Sequence, residues 1–211
     1  VESRNGRIVI SGNNANSMAV GLNWYLKNCC LTTVSWNEAD PLWMPEVLPE
    51  VPHKVTIEAK AKDRFFLNYC TYGYTMPWWG WKEWERLIDW MALNGVTMPL
   101  ANTGMESVLQ RVWRKEGLSE GEILNHFVGP AFLPWQRMSN VNSWMGPLPQ
   151  SWIDGQERLQ QKILQRERSF GMKPVLAAFN GCVPLSLVKR NPKAQVTEVS
   201  QWGGFGKQYR T

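Results

Sequence analysis

Three short apolar runs, separated by stretches with helical periodicity, limit this chain to very few folds. Arg64-Phe65-Phe66-Leu67-Asn68-Tyr69-Cys70, Val96-Thr97-Met98-Pro99-Leu100-Ala101 and Pro174-Val175-Leu176-Ala177-Ala178-Phe179 each read as a strand buried on both faces, although Pro99 sits awkwardly in a strand. Between the first two, Trp81, Trp84, Ile88 and Met91 mark one stripe of a helix that Gly95 should close as a left-handed cap. Between the second and third lie a helix from about Met105 to Lys115, a shorter one capped by Ser119 with Glu122, and a third carrying Leu159, Ile163 and Phe170. Ser151 with Asp154 resembles an N-cap pair for that third helix, and Gly171 should end it. Strand, helix, strand, helix, strand with apolar strands implies a parallel sheet covered by helices. A doubly wound sheet and a barrel both satisfy that pattern. A (β/α)₈ barrel needs about 250 residues, so a barrel would be incomplete.

The segment before Arg64 reads as a small α/β unit. Arg7-Ile8-Val9-Ile10-Ser11 forms a strand, Gly12-Asn13-Asn14 a turn, and Met18, Leu22, Tyr25, Leu26 and Cys29 the apolar stripe of a helix over 15–29. Thr32 to Trp36 and Val55 to Ala59 read as two further strands, separated by Pro41, Pro45, Pro49 and Pro52. A domain boundary falls near residue 60, dividing the chain into 1–60 and 61–211. A loop rich in Pro, Gly, Trp and Asn over 129–150 is longer than a plain connector, which suits a functional role.

Composition removes several functions. Apolar residues make up 44% and charged residues 19%, which suits a folded core. The net charge of +5 is spread along the chain without a basic block, so no nucleic-acid arm is indicated. The four cysteines, Cys29, Cys30, Cys70 and Cys182, include no Cys-x-x-Cys pair, and the two histidines are His53 and His126. These spacings give neither a zinc site nor a disulfide framework, and no metal or cofactor is expected. No apolar run is long enough to span a membrane, and Val1 opens into charged sequence without a signal-peptide core. Tryptophan is the outlier: 13 residues, ten of them from Trp78 to Trp202. Most should pack in cores, but a flat apolar ring with one donor also suits a sugar.

Reactive groups in parallel α/β folds gather where strands end. That rule selects Asn68, Cys70 and Tyr74, then Asn102, Thr103 and Glu106, then Asn180 and Cys182. The set is mostly uncharged and suits a neutral polyhydroxylated ligand. A thiol nucleophile at Cys70 would need a base or a cation that the sequence does not supply. Glu106 is the one attractively placed acid, whereas glycoside hydrolysis needs two. Gly203-Gly204-Phe205-Gly206 reads better as a turn than as a phosphate loop.

Longer motifs carry a resemblance. Phe66-Leu67-Asn68-Tyr69-Cys70-Thr71-Tyr72-Gly73-Tyr74-Thr75, Trp78-Trp79-Gly80-Trp81, the run from Glu85 to Gly95, Gln110-Arg111-Val112-Trp113, the run from Gly129 to Met138, Gly146-Pro147-Leu148-Pro149 and the run from Gly171 to Leu176 succeed one another as in glycoside hydrolase family 89. The chain resembles these α-N-acetylglucosaminidases strongly over 64–211. The resemblance implies a small N-terminal α/β domain followed by about three strands of a (β/α)₈ TIM-type barrel. It implies a retaining exo-glycosidase that removes terminal α-linked N-acetylglucosamine from glycans. The family's two catalytic glutamates are expected past Thr211, which demotes Glu106 and leaves no catalytic residue within this chain. Asn68, Cys70 and Tyr74 match positions that contact the sugar; Trp135, Met138 and Trp202 match its apolar wall. Gly80 stands where the family commonly has an acid, and Cys182, near Asn180, where it commonly has histidine.

The resulting expectation is a part of a longer enzyme, inactive and poorly soluble until the rest of the barrel completes it. Family habit places such enzymes outside the cytoplasm, in lysosomes or exported from bacteria. A carbohydrate-binding module without chemistry, and a different barrel hydrolase using Glu106, are the alternatives.

Overall fold

The computed structural model describes residues 1–37, 41–199 and 201–205, and the backbone of 208–210. The chain forms two compact units, each built from several sequence segments. The first contains Val1–Phe66, Gly80–Ala101 and Lys162–Val175. The second contains Leu67–Trp79, Asn102–Gln161 and Leu176–Thr211. Family resemblance anticipated a TIM-type α/β fold, and the parallel pairing around Phe65–Phe66, Met98–Leu100 and Val175 is of that kind.

The first unit opens with an antiparallel pair, β1 (Glu2–Arg4) and β2 (Arg7–Val9). Helix α1 (Ala15–Asn28) starts where Asn14 Oδ1 accepts the Ser17 N–H at 2.8 Å, the usual means of satisfying a free helix-end donor. Its buried face is only part of the apolar stripe expected from spacing: Tyr25 and Leu26 are buried as expected, but Met18 and Leu22 are exposed, while Asn16 and Asn23 are buried instead. The two asparagines explain the rotation. Asn16 Nδ2 donates to the Val96 carbonyl and Asn23 Nδ2 to the Leu93 carbonyl, so they satisfy acceptors at the end of helix α3 (Trp81–Leu93). Helix α3 buries Trp84, Leu87, Ile88, Met91 and Ala92, and Gly95 takes the expected left-handed conformation after it, φ 76°.

Strand β3 (Phe65–Phe66) pairs in parallel with β4 (Met98–Pro99), and an isolated parallel bridge joins Leu100 to Val175. The Leu100 N–H donates to the Phe66 carbonyl, and the Ala101 N–H to that of Val175. Pro99 is tolerated because its carbonyl still accepts, here from the Val175 N–H. Two of the three expected parallel strands therefore form, each only two residues long, and the third is reduced to the bridge at Val175. Phe65 is exposed, contrary to burial on both faces. Thr32–Trp36 and Val55–Ala59 are not strands. Val55 exchanges one reciprocal pair of hydrogen bonds with Val1, and Trp36 packs on Trp90 and Phe66, with ring centroids 5.1 and 6.3 Å away.

The second unit holds α2 (Thr71–Tyr74), α4 (Met105–Lys115), α5 (Glu120–His126), α6 (Leu133–Arg137), the first part of α7 (Gln150–Ser169), α8 (Leu185–Arg190) and an antiparallel pair, β5 (Thr197–Val199) with β6 (Gln208–Arg210). Its core gathers Trp113, Ile123, Phe127, Leu133, Leu148 and Ile153. The capping box is formed: Ser119 Oγ accepts the Glu122 N–H, and Glu122 Oε2 accepts the Ser119 N–H. Ser151 and Asp154 do not cap α7, because the helix already begins at Gln150, whose side chain donates to Asp154 and pairs with Gln110. The stripe buried along α7 is Ile153, Gln160, Ile163 and Glu167. Gly203 and Gly204 lie in a turn, as expected, and Gly206 lies outside the described residues.

Candidate functional site

Chain connectivity locates the site residues. After Phe66, after Ala101 and after Val175 the chain passes from the first unit to the second, so the segment leaving each parallel strand belongs to the second. Asn68, Cys70, Tyr74, Trp135, Met138 and Trp202 are all in that unit.

Asn68 Oδ1 accepts from both the Thr71 N–H (3.2 Å) and the Thr71 hydroxyl (3.1 Å), which fixes the start of α2. Cys70 is a half-buried free thiol at that start. Tyr74, at the end of α2, is 77% exposed and meets Trp135 edge to face, 5.5 Å between centroids. Gly73 makes the approach possible, since a Cβ there would collide with Trp135 Cζ3. Met138 follows at the end of α6. Trp202 belongs to a different aromatic set: it stacks on Phe205, which meets Trp144 edge on.

Sequence reasoning treats 129–150 as loop, and so misses α6. This five-residue helix is held by side chains rather than by length. Gln136 Nε2 donates to the His126 carbonyl (2.7 Å), and Gln136 Oε1 accepts the Val128 N–H. Arg137 donates two hydrogen bonds of 2.9 Å to Glu106, both side chains being almost completely buried. Asn180 Nδ2 donates to the Arg137 carbonyl (2.7 Å), while Asn180 Oδ1 accepts the Cys182 N–H. Glu106 is thus fully engaged by a guanidinium, which disfavours the acid role weighed for it.

Asn102 is buried; its Oδ1 accepts the Ala177 N–H at 3.3 Å, and Nδ2 has no partner among the described residues. Burial pushes the His126 imidazole down to about 4, so it is neutral at ordinary pH. An apolar groove of about 490 Å³ runs between α4 (Val108, Leu109, Val112) and Leu176–Phe179. An open depression of about 700 Å³ lies beside Glu122, Asn125 and Asn142. None of the six sequence-selected residues lines either one.

Comparison with known proteins decides the family. Residues 64–211 match the alpha-N-acetylglucosaminidase (NAGLU) TIM-barrel domain, and residues 1–50 match the NAGLU N-terminal domain. The chain belongs to the alpha-N-acetylglucosaminidase family. Human alpha-N-acetylglucosaminidase is 43% identical over 203 residues, covering 96% of this chain and 27% of that protein. A family 89 glycoside hydrolase from Clostridium perfringens, solved with 2-acetamido-1,2-dideoxynojirimycin, superposes with a TM-score of 0.93 at 38% identity, covering 99% of this chain and 24% of its own. A doubly glutamate-to-glutamine variant of the Clostridium perfringens enzyme, solved with its substrate GlcNAc-α-1,4-galactose, covers 98% of this chain and 23% of its own at TM-score 0.92. The chain spans about a quarter of these alpha-N-acetylglucosaminidase relatives. Within the described residues no helix is long and apolar enough to cross a membrane.

Proposed function

We propose that this chain supplies the N-terminal domain (1–60) and the first barrel units (61–211) of a retaining exo-α-N-acetylglucosaminidase. In this reading Asn68, Cys70 and Tyr74 contact the terminal N-acetylglucosamine, and Trp135, Met138 and Trp202 form its apolar wall. The observation that carries it is the exposed Tyr74 ring, on a helix whose start Asn68 fixes, meeting the half-buried Trp135, in a chain whose fold superposes on an enzyme solved with a GlcNAc-α-linked substrate. Aromatic faces suit the apolar face of a pyranose, and an amide beside them suits its hydroxyls.

Retaining hydrolysis uses one carboxylic acid to protonate the leaving oxygen and a carboxylate to attack the anomeric carbon. In this reading both come from other segments of the barrel, which the engagement of Glu106 by Arg137 supports. The remainder of the barrel also closes the sugar site and covers the α4 groove. The enzyme works outside the cytoplasm, in lysosomes or as an exported bacterial protein, and needs no cofactor.

The test is Asn68→Ala and Trp135→Ala in the full-length protein with p-nitrophenyl α-N-acetylglucosaminide. Each should lower kcat/KM at least tenfold without unfolding the protein. A fully active Trp135→Ala variant would remove these residues from the site. If instead the full-length protein binds N-acetylglucosamine and never hydrolyses the glycoside, the non-catalytic binding-module reading replaces this one.

A further inference from the structure

Helix α6 is too short to hold itself in place, yet it carries Trp135 and immediately precedes Met138. Besides the Gln136 hydrogen bonds, two of its anchors come from segments that follow different points of the parallel ladder. Glu106 arrives after β4 and takes the Arg137 side chain in a two-pronged pair, both partners almost wholly out of solvent. Asn180 arrives after Val175 and holds the carbonyl of the same arginine, 2.7 Å away. Asn180 is itself fixed by the Cys182 N–H, 2.8 Å from its Oδ1. Arg137 is thus gripped at its side chain by one segment and at its backbone by the next. Two residues earlier, the Trp135 ring lies so close to Gly73 that a Cβ there would collide with it. A small rotation of α6 would carry the ring into the Gly73 backbone or away from Tyr74.

We propose that Glu106 and Asn180 are positioning residues for the sugar wall: together they clamp Arg137 and so set the position of Trp135 against Tyr74. This rests on the reading of Trp135 as a sugar contact, and it adds two residues that touch no sugar. A clamp of this kind acts on how well the ring meets the substrate, not on proton transfer or nucleophilic attack. Its signature is therefore a change in KM with kcat preserved.

The experiment uses the full-length protein with 5-fluorotryptophan incorporated, the Trp135 ¹⁹F resonance being assigned by its loss in Trp135→Phe. Asn180→Ala removes the side-chain hydrogen bonds to the Gln136 and Arg137 carbonyls and the one from the Cys182 N–H, but it leaves the buried ion pair intact, so it retains the fold even if Glu106→Gln does not. In Asn180→Ala the Trp135 resonance should shift or broaden, and KM for p-nitrophenyl α-N-acetylglucosaminide should rise five- to twentyfold with kcat within twofold. Glu106→Asp, which keeps the charge, should be milder than Glu106→Gln on both readouts. An unmoved Trp135 resonance with unchanged KM in Asn180→Ala overturns the proposal. A fall in kcat with KM unchanged also overturns it. If the resonance moves as expected but the parent protein neither binds nor hydrolyses the glycoside, the clamp stands and the sugar-site reading fails.

Discussion

A Cβ built on Gly73 would collide with Trp135 Cζ3 and stand 2.8 Å from the Ala131 carbonyl oxygen, both well inside contact distance. Gly73→Ala should therefore destabilise the protein by about 1–3 kcal/mol and displace the Trp135 ring, as overpacking does elsewhere. Denaturant unfolding and the KM for an α-N-acetylglucosaminide check both effects. Glu167 poses a different problem. It is buried on α7 with neither carboxyl oxygen hydrogen-bonded among the described residues, and burial pushes its pKa up to about 8. Below about pH 4.5 the carboxyl is protonated in folded and unfolded chains alike. Between there and about 8 the unfolded chain gives up the proton and the folded chain keeps it, so stability falls as pH rises through that window. His126 acts in the opposite sense, its stabilising effect being lost as pH falls from 6.5 towards about 4. Comparing wild type with Glu167→Gln at each pH isolates the glutamate. The variant should be more stable by about 2–4 kcal/mol at pH 7.5, with the gain fading towards pH 4.5; hydrogen exchange along α7 is the readout. Neither residue was legible in the sequence. Gly73 sits unremarked inside a motif, and Glu167 sits on the buried side of a helix whose stripe is read from its apolar members alone. Asn68 was legible because it comes after a strand, but its role in starting α2 shows only in the folded chain.

Elements were readable where their ends carried chemistry. Ser119 and Glu122 mark the start of α5, and the two reciprocal hydrogen bonds are present. Ser119→Ala should cost about 1 kcal/mol, seen as faster amide exchange over Glu120–His126. Helix α4 was legible end to end because its apolar period is strong and Gly117 comes after it. The failures have equally physical causes. Thr32–Trp36 alternates like a strand, yet Trp36 is used to pack on Trp90, and no described neighbour offers the segment a ladder. Helix α6 has no period to read, because side chains of other segments, Glu106 and Asn180 among them, hold it. The stripe of α1 misleads because two asparagines, polar on any scale, are buried to satisfy carbonyl groups near the end of α3.

At the scale of the whole molecule, the alternation of β3, α3, β4, α4, α5 and α7 was legible, and the distribution of the chain between two compact units was not. Periodicity reports which face of an element is apolar; it does not report which distant segment covers that face. The α4 groove shows the consequence. Val108, Val112, Leu176 and Phe179 remain exposed on an apolar surface, a surface of the kind that associates in water. The 211 residues on their own should accordingly self-associate, and sedimentation velocity should show a distribution of oligomers; a monodisperse monomer would mean that the groove is tolerated bare. The central claim, that this chain forms part of a retaining α-N-acetylglucosaminidase, has a direct test. Proton NMR of the full-length protein acting on p-nitrophenyl α-N-acetylglucosaminide should show α-N-acetylglucosamine as the first product, before mutarotation, while the 211-residue chain alone shows none. First appearance of the β-anomer, no turnover by the full-length protein, or turnover by these residues alone would contradict it.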